Sequence, residues 1–188
     1  MRVVDIGCGA GRNAVPLARL GWDVVGVDLS IPMLSAAAAR ARDEHVSDRV
    51  QLALARMDRI PVRDASFDLV IAHGIWNLAR TATEFRLALK EAARVARPGA
   101  GLFVFTFSRN TFPSHAEPVE GEPFVFARFS GQPQCFLTYP QLVTELGTVG
   151  FVPDPGVPLT EYNRPQPGLL QSGTVPVIYE VAFRLPAG

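Results

Sequence analysis

The sequence has little sulfur, one lysine and no long apolar run. Its two cysteines, Cys8 and Cys135, stand far apart with no C-x-x-C pair. A disulfide framework is therefore excluded, and two unpaired thiols suit a reducing compartment. Three histidines (His45, His73 and His115) and two isolated cysteines lack the spacing of a structural zinc site, so no metal is expected. No apolar stretch is long enough to span a bilayer, and the opening residues Met1-Arg2-Val3-Val4-Asp5 are too short an apolar run for a signal peptide. A cytoplasmic location without membrane partners is expected. Basic and acidic residues balance at 18 each, with no basic tract, so the charge footprint of a nucleic-acid partner is missing. There are no internal repeats and no low-complexity segments.

What is there is globular. Hydrophobic residues make up 48% and charged residues 19% of 188 positions. That is enough for one domain, residues 1–188, with a sizeable core.

The most informative stretch is Asp5-Ile6-Gly7-Cys8-Gly9-Ala10-Gly11-Arg12-Asn13. The run Val3-Val4 leads into it as the end of a buried strand, and the spacing of Ala14, Leu17, Ala18 and Leu20 predicts a helix over 12–20. The glycines thus lie in a strand-to-helix turn. Gly7, Gly9 and Gly11 accept positive φ and let a ligand lie close to the backbone, and the helix N-terminus behind them offers free N–H groups. Gly9-x-Gly11-x-x-Ala14 also fits a permissive dinucleotide fingerprint. Asp5 argues against a pyrophosphate, which it would repel. It suits a ligand bearing an ammonium group.

Asp5-x-Gly7-x-Gly9-x-Gly11 resembles the first motif of class I S-adenosylmethionine-dependent methyltransferases. With Arg12-Asn13 and the run Gly21 to Asp28, it resembles the tellurite-resistance and small-molecule branch. The resemblance implies a Rossmann-like, doubly wound α/β fold. Its sheet would be seven-stranded and mostly parallel, with an antiparallel last strand, in three α-β-α layers. It implies S-adenosylmethionine as cofactor, S-adenosylhomocysteine as product and a small-molecule acceptor, in a monomer or homodimer. Family members carry helical cover before the first strand. Here the first strand begins at residue 2, so the site is expected to be more open, or covered by a partner or a later loop.

Other positions follow in chain order. The motif brings Asp5, Gly7, Cys8, Gly9, Gly11, Arg12 and Asn13 to the cofactor. Asp28, closing a strand over 22–27, would accept from both ribose hydroxyls, or serve as a carboxylate at the next helix start, which Ser30 caps. Leu29 would pack on the adenine, and Met33 is either core or a cofactor contact. A helix is expected to about His45 and a strand over 50–55. By resemblance, Met57 and Asp58 then meet the adenine, Asp58 alternatively being a solvated turn residue. A strand over 66–72 delivers His73 and Gly74 to the edge where ligands of open α/β sheets bind, where they would line the methionine part of the cofactor. Trp76 is either a ring facing the sulfonium and substrate or a large core residue. Thr81 and Glu84 predict a capped helix to about Ala96, stopped by Arg97-Pro98-Gly99, with a strand over 102–107.

Residues 109–137, rich in proline and aromatics, read as a lid or substrate insertion with a short strand over 124–129. Arg109, His115, Phe126 and Arg128 are its candidate substrate contacts. Thr138 and Gln141 predict another capped helix, and Phe151 to Leu159 an irregular strand broken by Pro153 and Pro155. The last strand spans 175–185, antiparallel. Tyr162 and Arg164 are further substrate candidates. Arg164 matches the arginine of the tellurite-resistance His-Arg pair, but Asn163 replaces the histidine. The remaining candidate bases are His73 and His115.

The expected function is in-line methyl transfer to a thiol, chalcogen oxyanion or hydroxyl of a small molecule. Two other readings stand. An NAD(P)-dependent oxidoreductase would lack Asp5 and need a Tyr-Lys or His constellation, whereas Lys90 is the only lysine. A non-catalytic S-adenosylmethionine-binding module would keep the fold without turnover.

Overall fold

The computed structural model describes residues 1–127, 129–164 and 175–187. The chain alternates strands and helices: β1 (Arg2–Ile6), α1 (Ala14–Arg19), β2 (Asp23–Asp28), α2 (Ile31–Asp43), β3 (Val50–Leu54), β4 (Phe67–His73), α3 (Ala82–Val95) and β5 (Ala96–Phe107). Then come β6 (Val125–Phe126), β7 (Gln134–Cys135), α4 (Tyr139–Gly147), β8 (Val152–Pro153), β9 (Thr160–Tyr162) and β10 (Ile178–Arg184). The main sheet runs β3-β2-β1-β4-β5-β10-β8, with β9 also on β10. Strands β1 to β5 are parallel; β10 is antiparallel to β5, β8 and β9. The mostly parallel, doubly wound sheet and its antiparallel final strand are as expected.

Strand order reverses between β1 and β4. Such a switch point opens a crevice at the carboxyl ends of the strands. The glycine turn after β1 and His73-Gly74 after β4 flank it.

The two faces of the sheet differ. On one, Val4, Ile6, Val70, Ala72, Leu102, Val104, Val181 and Phe183 are fully buried beneath Phe85, Leu89 and Ala92 of α3 and Leu142 and Leu146 of α4. On the other, α1 and α2 pack over β2 and β3, while Leu69, Phe103, Phe105 and Ile178 stay only half-buried. Period-two alternation along β5 separates these faces.

Caps form as the sequence predicts. Ser30, Thr81 and Thr138 accept from the backbone of Met33, Glu84 and Gln141, and Thr138–Gln141 closes a full capping box. Elsewhere the boundaries move. Helix α3 ends at Val95, and Arg97-Pro98-Gly99 is drawn into β5 rather than forming a turn. A register shift near Phe67 absorbs it, and the exposed Pro98 has no N–H that a partner would need. Of the strand expected over 151–159 only β8 forms, and β9 follows it just past that range. Between them the Asp154 carboxylate accepts from Gly156 N–H in a tight turn that Pro153 and Pro155 favour.

Segment 109–137 is sewn into the body. Phe124, Val125, Cys135 and Leu137 belong to the core under α3 and α4, and Phe136 packs on Phe107 at the end of β5. Arg128 lies outside the described residues.

Cys8 and Gly26 interlock beneath the glycine turn. A Cβ on Gly26 would stand 2.8 Å from Cys8 Sγ and 3.0 Å from Leu52 Cδ2. Gly26→Ala is therefore expected to cost about 1–3 kcal/mol by overpacking. Urea unfolding should show that loss shrinking when Cys8→Ala is added; an unchanged penalty in the double variant would disprove the interlock.

Candidate active site

The glycine turn is built by its neighbours. Gly7 N–H and Cys8 N–H both donate to Val27 O, so the turn bends back onto β2. Gly7 (φ 73) and Gly11 (φ 78) are also held by packing: a Cβ on Gly7 would fall 2.8 Å from Ile75, and one on Gly11 3.1 Å from Val15. Gly9 (φ 52) differs. Nothing lies within 4 Å of its Cβ position, so its bare backbone faces open space. There the turn can receive a ligand.

Asp28 ties this turn to the next. Its Oδ2 accepts from Gly9 N–H at 2.9 Å and its Oδ1 from Ser30 N–H at 2.8 Å. Each oxygen keeps further lone-pair capacity. Leu29 beside it is exposed, as are Ile31 and Leu54.

A cleft of about 470 Å³ opens over the turn, lined by Gly7, Cys8, Gly9, Ala10, Arg12, Asn13, Met33, His73, Gly74 and Phe105. Larger hollows lie elsewhere, one of about 840 Å³ near Arg2, Arg63 and Arg97 at the opposite ends of the strands. The smaller cleft holds the switch-point residues, and chemistry rather than size marks it as the site.

Asp5 sits behind the turn and does not reach the cleft. It is fully buried, Asn13 Nδ2 donates to Oδ1 at 3.5 Å, and Oδ2 has no partner among the described residues. Burial pushes its pKa up to about 6; Asn13 and the Ala14 backbone pull it down, and Asp28 adds repulsion. Asp5 is thereby shut off from direct contact with a ligand in the cleft. Cys8 likewise contributes backbone only. Its side chain is buried, and burial pushes the thiol up to about 12, leaving it un-ionised.

His73 ends β4, and its ring stacks on Phe105 at 4.3 Å. Desolvation and then the Arg12 charge lower its pKa, against an opposing pull from Glu180. The imidazole is therefore neutral near pH 7 and able to accept a proton. Gly74 (φ 71) turns the chain, with its N–H on Phe105 O.

Several sequence candidates lie elsewhere. Trp76 is fully buried and packs edge-on against Phe85, 6.1 Å between centroids, so it is core and offers no ring to a cofactor or substrate. The cause is the short 3-10 turn at Trp76–Leu78, which carries it beneath the sheet and leaves Ile75 against Gly7. Arg109 is consumed as a staple: it donates to the carbonyls of Phe112, Pro113, Ser114 and Ala116 and stacks over Phe126 at 4.9 Å. Phe126 is buried, and His115 is exposed away from the cleft.

Met57 is half-buried against the core. Asp58 receives both arms of Arg56, at 2.8 and 2.9 Å, which hold its carboxyl below the ordinary range. Both follow β3, beside the Asp28 end of the sheet. Tyr162 donates to Glu180 at 3.3 Å, and Arg164 pairs with Glu161 at 3.2 Å. Phe105, Ile75 and Ala10 escaped the sequence reading. Phe103-x-Phe105-x-Phe107 was the available signal for the first: aromatic residues at period two on the less covered face.

Among the described residues, no cluster of His, Cys, Asp and Glu is placed to hold a metal ion, and no helix is long and apolar enough to cross a membrane.

A glycine turn at a switch point, with an acidic strand end beside it, defines a nucleoside-binding α/β protein. Comparison with known proteins gives the family. A methyltransferase-domain model matches residues 4–105. The demethylmenaquinone methyltransferase of Lactiplantibacillus plantarum is 31% identical over 79% of this chain and 69% of its own length. A ubiquinone biosynthesis O-methyltransferase of Azorhizobium caulinodans is 30% identical over 80% of this chain and 58% of its own. A solved S-adenosylmethionine-dependent methyltransferase from Methanosarcina mazei superposes with a TM-score of 0.79, at 21% identity, over 100% of this chain and 93% of that one. The chain belongs to the S-adenosylmethionine-dependent methyltransferases. The tellurite-resistance branch is not the one these relatives represent.

The site carries a stability cost. Asp5 is more acidic unfolded than folded, so ionised Asp5 destabilises the fold above about pH 6 by about 3 kcal/mol, and the cost fades as pH falls toward the unfolded value of 3.8. Asp5→Asn should therefore unfold at higher urea than wild type at about pH 7.5, with the advantage shrinking toward about pH 4.5. An advantage independent of pH would assign the cost to something other than the charge.

Proposed function

We propose that this protein transfers the methyl group of S-adenosylmethionine to a hydroxyl on a small ring-bearing molecule. The observation that supports the cofactor end most directly is the Asp28–Gly9 clamp beneath an open backbone. In this reading the remaining lone pairs of Asp28 take the ribose hydroxyls, and the exposed Leu29 and half-exposed Met33 flank the base and the nucleoside. Asp58, still able to accept beside Arg56, takes the adenine amino group with Met57 behind it. Gly7, Gly9, Gly11 and Asn13 form the cradle of the amino-acid tail. Arg12 meets its carboxylate, and the buried charge of Asp5 favours its ammonium.

The bound cofactor supplies an electrophilic methyl on a good leaving group. When an acceptor oxygen takes the methyl, a C–O bond forms, the C–S pair returns to sulfur, and the hydroxyl proton must leave. Neutral His73 is the residue we assign to receive it. Most of the remaining work is orientation, worth up to about 7–11 kcal/mol when approach is well aligned. A hydroxyl acceptor fits the ubiquinone biosynthesis O-methyltransferase among the relatives, whose name specifies oxygen. Segment 109–137 wraps the end of β5 and would wall the acceptor side.

Calorimetric titration with S-adenosylhomocysteine, with NAD as the parallel control, tests the cofactor. Binding of the first alone is expected. Asp28→Asn should weaken it about 10- to 100-fold, the value of one or two charge-assisted hydrogen bonds. NAD binding in place of S-adenosylhomocysteine would establish the oxidoreductase reading instead. For His73→Asn we expect a loss of about 10²-fold in kcat near neutral pH, smaller as pH approaches the acceptor's own pKa. A loss constant across pH would show that His73 moves no proton.

A further inference from the structure

Beyond Phe105 the sheet continues away from the cofactor cleft. His73 pairs with Phe105, Phe105 with Glu180, and Glu180 with Thr160. Residues paired across strands share a face, and neighbouring strands lie about 5 Å apart. The imidazole, the phenyl ring and the carboxylate therefore stand in one row on the less covered face. Their neighbours on the opposite face, Val104, Thr106, Tyr179 and Val181, are all buried.

Glu180 is the charged end of this row. Tyr162 donates to its Oε1, and among the described residues no arginine, lysine or histidine pairs with it. Its field reaches His73, opposite in sign to that of Arg12 on the cleft's other side. An ionised carboxylate accepts hydrogen bonds and cannot donate them. Tyr162 fills one of its lone-pair positions, and no other described residue donates to it. Half-buried beside an aromatic floor, it gains most from a donor and repels an anion.

We infer that Glu180 selects the acceptor: a flat ring packs over the outward edges of the stacked His73 and Phe105 rings with a hydroxyl or amine donor turned to Glu180, and anionic acceptors, chalcogen oxyanions included, are rejected. This rests on the methyltransferase reading above. Cofactor on the glycine turn leaves the His73–Phe105 side for the acceptor, so His73 meets the reacting hydroxyl while Glu180 holds a second polar group two strands further on, about 10 Å away. Glu180 is then a specificity residue that touches substrate but takes no part in bond making.

Three probes that share a catechol ring and differ in charge test this: dopamine, catechol and protocatechuate. Each is titrated calorimetrically into protein saturated with S-adenosylhomocysteine. Dopamine should bind at least about tenfold tighter than protocatechuate, with catechol between. Glu180→Gln should bring the outer two within about threefold, and Glu180→Asp, which keeps the charge, should retain the order. The affinity of each variant for S-adenosylhomocysteine reports that it is folded. Protocatechuate binding as tightly as dopamine, no binding of any probe to the loaded protein, or an unchanged ratio in Glu180→Gln would each overturn the assignment. Failure of wild type to bind S-adenosylhomocysteine would instead sink the cofactor reading, and this one with it.

Discussion

The Asp28 carboxylate is the joint on which the site depends. It closes β2, accepts from Gly9 N–H and Ser30 N–H, and so fixes the tip of one turn and the start of α2 at once. Ala55 N–H on Asp28 O brings the end of β3 into the same joint. Three chain segments far apart in sequence are set by one residue. Hydrogen bonds to an ionised acceptor are stronger than neutral ones, and they exist before any ligand arrives. A turn tied in this way before binding leaves less chain to order when a ligand arrives, which lowers the entropic cost of binding there.

Beneath that joint the packing is unforgiving. Gly26 must lack a side chain because Cys8 fills the space above it, and Gly7 must lack one because Ile75 does. Asp5 adds a buried charge with one orphaned oxygen. Each feature costs stability where a plain hydrophobic strand end would not. Such costs gather where function constrains the backbone.

Legibility in the sequence followed the range of the interactions. The glycine turn, the Ser30, Thr81 and Thr138 caps and the parallel strands could be read because local residues determine them. Asp28 was recognised by spacing, though its hold on Gly9 was not. Trp76 misled because a three-residue turn decides which side of the sheet it enters, and no periodicity reports on so short an element. Arg109 misled because an arginine among loop carbonyls looks, in sequence, like one waiting for an anion. Phe105 and Glu180 went unnamed because register across strands is what sets them beside His73, and no local pattern encodes it.

The outer boundary of the sheet has a consequence of its own. Where β10 could have met one long strand, it meets β8 and β9, two and three residues long, with Pro153 in the first. A continuous outer strand would present a row of unpaired N–H and C=O groups, a template on which another chain can add a strand. Two fragments separated by a turn present no such row, and Pro153 has no N–H to offer. The interruption that Pro153 and Pro155 were expected to make in the strand over 151–159 is thus also a guard against edge-to-edge aggregation.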